Sequence, residues 1–149
     1  MTGPMSGTSS AEVVRQGGAV AVRLGERPRY LLVRARLHPE HWLFPKGHVD
    51  GDESLEETAV RELAEEAGVA GRVVAPLGNS EYAFEGKRIE VHYFLVEATG
   101  RAGAGEPDRD PTWLSYEAAI KRIVFFDLHR ILDAAEAYVR GLKRKEKRR

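Results

Sequence analysis

Apolar and polar positions along this chain change period several times, and each change predicts an element. Gly18-Ala19-Val20-Ala21-Val22 and Tyr30-Leu31-Leu32-Val33 are short apolar runs joined by Gly25-Glu26-Arg27-Pro28, which predicts two strands in a hairpin-style connection. Residues 54–67 switch to helical spacing: Val60, Leu63, Ala64 and Ala67 fall at i, i+3, i+4 and i+7, the inward stripe of an amphipathic helix. Ser54 is its expected N-cap, Glu57 the capping-box partner three residues on, and Gly68 its stop. Residues 71–77 and 80–84 then predict two short strands, Glu85-Gly86-Lys87 a turn, and residues 90–97 the clearest strand. The glycines and prolines of residues 100–111 predict a loop. Ser115 is placed to cap a short helix through Arg122. Asp127 is placed to cap a long one to about Lys143, with Ile131, Leu132, Ala135, Tyr138, Val139 and Leu142 inward. This order suits a mixed sheet between helices.

Composition narrows the class. A chain of 149 residues suits one domain with one core, and 42% hydrophobic content is ordinary for a globular protein. Residues 1–11, small and turn-prone, read as a disordered leader, 12–142 as the domain and 143–149 as a basic tail. The chain has no cysteine, which excludes disulfides and thiol catalysis, and its five histidines lack the H-x-x-x-H spacing of a zinc helix. No apolar run approaches the roughly 20 residues of a membrane span, and the N-terminus lacks a charged-then-apolar export signal, so a cytoplasmic protein without a membrane partner is expected.

The balance of 23 basic and 23 acidic residues hides a segregation. Residues 47–69 hold eight acids against the single base Arg61, while residues 143–149 are basic except for Glu146. The tail is read first as a solvated helix end, whose dipole favours cations, and second as a contact for RNA or another polyanion.

On the helix of residues 54–67, Glu62, Glu65 and Glu66 point away from the apolar stripe and share an arc about 100° wide. An acidic stretch of this kind is usually a solvated face. Here Glu62 meets like charges at i+3 and i+4, each costing about 0.2–0.5 kcal/mol, and no lysine offers relief. The acids also crowd the helix end whose dipole disfavours them. Clustered carboxylates of this kind suit a hard divalent cation, Mg²⁺ or Mn²⁺, of the sort that acts beside substrate phosphates.

Gly47, five residues, Glu53, seven residues, then Arg61-Glu62-Leu63-Ala64-Glu65-Glu66-Ala67-Gly68-Val69 matches every fixed position of the Nudix box, GX5EX7REUXEEXGU with U apolar. The similarity extends to Trp42-Leu43-Phe44-Pro45-Lys46-Gly47-His48-Val49, which resembles the WxxPKGH segment of the asymmetric diadenosine tetraphosphate hydrolase branch and its bacterial relatives. Val91-His92-Tyr93-Phe94-Leu95, Trp113-Leu114 and Glu117-Ala118-Ala119 resemble later segments of that branch, so the resemblance covers roughly residues 17–140. It departs at Ile89, where relatives often carry lysine, and at Tyr82, which lies nearer the box than in relatives.

The Nudix resemblance implies an α/β (α+β) fold, an α/β/α sandwich with a mixed sheet. It implies hydrolysis of nucleoside diphosphates linked to another moiety, with Glu62, Glu65, Glu66 and the Gly47 carbonyl as ligands of Mg²⁺ (or Mn²⁺). Glu62 is the first candidate for general base, and Glu53 and Arg61 the pair that fastens loop to helix. Lys46 and His48 are candidate phosphate contacts, Tyr93 a hydroxyl contact and Tyr82 a base-stacking ring. Glu57 could serve a metal through water, and Glu106, Asp108 or Asp110 could add a ligand or an alternative base. The leading expectation is diadenosine tetraphosphate cleaved to ATP and AMP. A nucleoside triphosphate, an inositol pyrophosphate or an RNA 5′ end is the alternative substrate. A non-catalytic nucleotide- or RNA-binding module is the alternative of another class.

Overall fold

The computed structural model describes residues 12–148. The leader expected at residues 1–11 lies outside the described residues.

Apolar residues facing both ways make β1 (Val13–Arg23) the middle of the sheet, buried without a break from Gln16 to Val22. It runs antiparallel to β2 (Arg29–Arg34) and parallel to β6 (Lys87–Arg101). The main path is completed by β3 (Trp42–Leu43) outside β2 and by β5 (Val69–Phe84) outside β6, in the order β3-β2-β1-β6-β5. Two short strands lie off this path: β4 (Lys46–His48) pairs with β1, and β7 (Thr112–Leu114) with β2. Residues 42–48 therefore carry two short strands.

Alternation along the strands sorts side chains into two cores. Ala19, Ala21, Leu31, Val33, Phe94 and Val96 face α1 (Leu55–Ala67), where Ala59, Leu63 and Ala67 meet them. Val20, Val22, Tyr30, Leu32, Val91 and Leu95 face the other way, toward α2 (Tyr116–Arg122) and α3 (Phe126–Arg148), which contribute Ala119, Ile131, Leu132, Ala135 and Val139. The result is the α/β/α sandwich with a mixed sheet.

The expected caps are present. Ser54 accepts from the Glu57 N–H, Glu57 returns the bond, and Gly68 closes the helix at φ 69°. Ser115 caps α2. Three expectations are corrected. The buried residues of α1 are Thr58, Ala59, Leu63, Glu66 and Ala67, while Val60 and Ala64 are only partly covered. The cause lies at Gly17 in β1, where a Cβ would stand 2.5 Å from the Leu55 carbonyl oxygen and 2.9 Å from Thr58 Cβ, so small residues meet the strand there. Residues 71–77 and 80–84 form one strand, because the ladder absorbs Gly78 as a register shift between Pro76 and Gly78 instead of breaking. In α3, Tyr138 is 40% exposed, and Asp127 lies within the first turn of a helix that continues to Arg148.

Candidate active site

Strand pairing fixes the approach of the box loop to its helix. Gln16, Gly17 and Gly18 of β1 stand opposite His48, Gly47 and Lys46 of β4. This places Gly47 under α1, so close that a Cβ on it would lie 2.2 Å from Glu62 Oε2. Only glycine leaves room for that carboxylate.

Arg61 organises the surrounding acids. Its Nε and Nη2 donate to the two oxygens of Glu53 at 2.7 and 3.0 Å, Nη2 also to the His48 carbonyl at 2.9 Å, and Nη1 to Glu62 and Glu65 at 3.0 and 3.1 Å. The cation that relieves the crowded carboxylates is thus the arginine on their own helix. Glu53 also accepts from the Asp50 N–H and the Thr58 hydroxyl. The Arg61 bond first, then that N–H, hold its carboxyl down at about 2, below the 4.5 of a free side chain. The same pairing pushes the Arg61 guanidinium up.

The three metal-ligand candidates do not share one exposure. Glu65 is half exposed and turned to Arg61, whereas the side chains of Glu62 and Glu66 are 13% and 5% exposed. Glu66, expected on the open face, is thus inside the fold. Its Oε2 accepts the Lys46 N–H at 3.3 Å and its Oε1 lies 3.5 Å from an Arg109 guanidinium nitrogen. Burial drives the Glu66 carboxyl well above the ordinary range. Arg109 opposes this, and the neighbouring Glu62 carboxylate adds to it, by accepting a hydrogen bond from the neutral form of Glu66 and by repelling the charged one.

Lys46 and Tyr82 come together. Lys46 Nζ donates to the Tyr82 hydroxyl at 2.9 Å and stands 4.8 Å from the centre of its ring. His48 is exposed beside them, its Nδ1 3.3 Å from Gln16 Nε2. The expectation of a substrate contact from Tyr93 is not met: the residue is 2% exposed, its ring packs on Phe44, and burial raises its hydroxyl above the ordinary tyrosine value. A large aromatic in a central strand is core before it is ligand. Of the loop acids, Glu106 is paired to Arg109 at 2.9 Å and Asp110 to Arg34 at 2.7 Å. Glu57 is spent on its cap.

Two residues escaped the sequence reading. Gln16 is the one polar side chain in the buried run of β1, and Arg109 is the lone base among the acids of residues 106–110. Both anomalies were visible, but their partners were not.

Whether a divalent cation suits this donor set follows from these contacts. Among the described residues, no three acidic or histidine side chains are gathered as around an ion, because Glu65 holds Arg61 instead. Yet Glu62 and Glu66 are neighbouring carboxylates, the charge of Glu62 adding to the rise at Glu66, and Gly47 keeps the space beside Glu62 clear. The donors are hard oxygens. The set fits such an ion once Glu65 is released from Arg61.

A sandwich whose Gly47 loop lies on a helix bearing Glu62, Glu65 and Glu66, fastened by Glu53 and Arg61, defines a Nudix hydrolase site. The chain belongs to the Nudix family, whose domain (NUDIX domain) matches residues 14–134. Among relatives, it is 29% identical over 136 residues to the bis(5′-nucleosyl)-tetraphosphatase [asymmetrical] of Caenorhabditis elegans, covering 87% of this chain and 99% of that one. It is 32% identical over 108 residues to a Mycobacterium tuberculosis protein designated MutT4, covering 68% of this chain but only 44% of that longer protein. Its fold is similar to the crystal structure of a C. elegans Ap4A hydrolase binary complex, with TM-score 0.71, 27% identity and coverage of 86% and 98% of the two chains.

Proposed function

We propose that the protein is a Mg²⁺-dependent pyrophosphohydrolase of dinucleoside polyphosphates, with diadenosine tetraphosphate cleaved to ATP and AMP. The observation that carries this reading is the juxtaposition of the Glu62–Glu66 pair with a lysine, Lys46, whose side chain meets only neutral acceptors among the described residues. An ammonium without a carboxylate partner next to a cation-seeking pair suits a substrate that carries phosphate. The nearly complete coverage of the worm tetraphosphatase supports the dinucleoside class.

In this reading Glu62, Glu65, Glu66 and the Gly47 carbonyl hold Mg²⁺, with Mn²⁺ as a substitute. When bound, the ion supplies neutralisation of phosphate oxygens and a lowered pKa for the attacking water. Glu62 accepts the proton of that water. Arg61, held by Glu53, keeps Glu62 oriented. Lys46 and His48 bind phosphate oxygens, and the partly exposed Tyr82 stacks its ring on a base.

Hydrolysis of diadenosine tetraphosphate in ¹⁸O-water with product analysis tests the reading, and ATP and AMP with label in one product are expected. Glu62→Gln should lower the rate by roughly 10²–10⁴-fold while substrate binding persists. Parallel assays with a nucleoside triphosphate, an inositol pyrophosphate and a 5′-triphosphate RNA decide the substrate class. Faster turnover of one of these would replace the dinucleoside assignment.

A further inference from the structure

The amide of Gln16 can be oriented by its partners. Two groups converge on one end: the Lys46 ammonium at 3.3 Å and the Tyr82 hydroxyl at 3.4 Å. An ammonium is a donor only, so that end is oxygen, and the other end, 3.3 Å from His48 Nδ1, is the NH₂. A donor facing Nδ1 makes that nitrogen an acceptor. A neutral imidazole then carries its proton on Nε2.

The bond arises from the register. Gln16 of β1 is the direct antiparallel partner of His48 in β4, and at 6% exposure its amide is nearly withdrawn from water. A buried amide whose two ends serve unlike partners has one low-energy orientation, since a flip would set its NH₂ against the ammonium. Among the described residues the His48 ring makes no other hydrogen bond, and the residue is exposed.

We propose that Gln16 is a positioning residue for phosphate recognition: it fixes His48 as the Nε2–H tautomer and holds the Lys46 ammonium beside it, so that the two present neighbouring donors to a substrate phosphate oxygen. The phosphate contact rests on the function proposed above, whereas the tautomer does not. The dipole of one amide thereby sets both halves of the receptor, oxygen toward the lysine and nitrogen toward the histidine.

Nitrogen-15 NMR of histidine-labelled protein at alkaline pH, where imidazole is neutral, reads the tautomer directly, with His48→Gln assigning the resonance. The expected wild-type state is Nε2–H. Gln16→Leu removes both partners and should give a mixture of tautomers. Gln16→Glu offers Nδ1 an acceptor oxygen and should move the proton to Nδ1. Kinetics of Gln16→Leu should show KM raised roughly tenfold with kcat little changed, as expected for losing one hydrogen bond that orients a charged group.

An Nδ1–H wild type, or variants that keep the wild-type tautomer, would overturn the positioning role. The wild-type spectrum alone decides the tautomer even if a variant fails to fold. A KM unmoved in Gln16→Leu would overturn the phosphate contact. Absence of wild-type turnover on every substrate would remove the proposed function, and the contact with it, while leaving the tautomer assignment standing.

Discussion

Glu53 and Glu66 are carboxylates of one motif that the fold treats in opposite ways. Glu53 is drawn below the ordinary carboxyl range by Arg61 and the Asp50 N–H, so its ionised form favours the folded state. Its contribution is fully present above the unfolded value of 4.5 and is lost as pH falls toward about 2. The acid limb of a thermal-stability profile should therefore be steep across that interval in the wild type and shallower in Glu53→Gln, as followed by circular dichroism. Glu66 is raised, so its contribution has the reverse sign and weakens as pH climbs above the ordinary carboxyl value. The identity of both residues was legible from motif spacing. Their opposite titration was not, because the rise at Glu66 comes first from burial, against the pull of Arg109, and burial is not local to the helix.

At the level of elements, the contacts of β1 and β4 with α1 separate stability from rate. At Gly17 an added Cβ meets the backbone of α1, the Leu55 oxygen at 2.5 Å and the Ala59 nitrogen at 3.0 Å, and neither can move alone. At Gly47 the atoms nearest to it are the end of the flexible Glu62 side chain, with Oε2 at 2.2 Å. Gly17→Ala is thus expected to cost about 1–3 kcal/mol in denaturant unfolding. Gly47→Ala should fold almost as well yet lose rate nearly as Glu62→Gln does, because it displaces that carboxylate. The helix itself was readable from the sequence, caps included. Its rotation toward Thr58 and Ala59 was not, since apolar periodicity does not register how closely a glycine strand lets a helix approach. The single course of β5 was missed for a related reason: Gly78 looks like a break until the long partner β6 carries the ladder past it.

Over the whole molecule, the sheet draws together residues far apart in the chain, and a bound ion should register as global stability. If Mg²⁺ binds the folded state alone, free metal at a hundred times its Kd adds about 2.7 kcal/mol. The melting temperature should rise on adding MgCl₂ to the wild type. Glu66→Gln should abolish that rise and, by removing a buried ionisable carboxyl, should melt higher than the wild type in metal-free buffer at alkaline pH. Scanning calorimetry with and without metal checks both. By itself the sequence determined the helix that carries Glu62, Glu65 and Glu66, its caps at Ser54 and Gly68, and the order of the longer strands and the helices, since each is set by neighbours within a turn or two of the backbone. Only the tertiary structure decided that Gln16 faces His48, that Arg109 reaches Glu66 and that Tyr93 is core. Those pairings depend on strand register and on the exclusion of water, and both come into being only when distant segments pack.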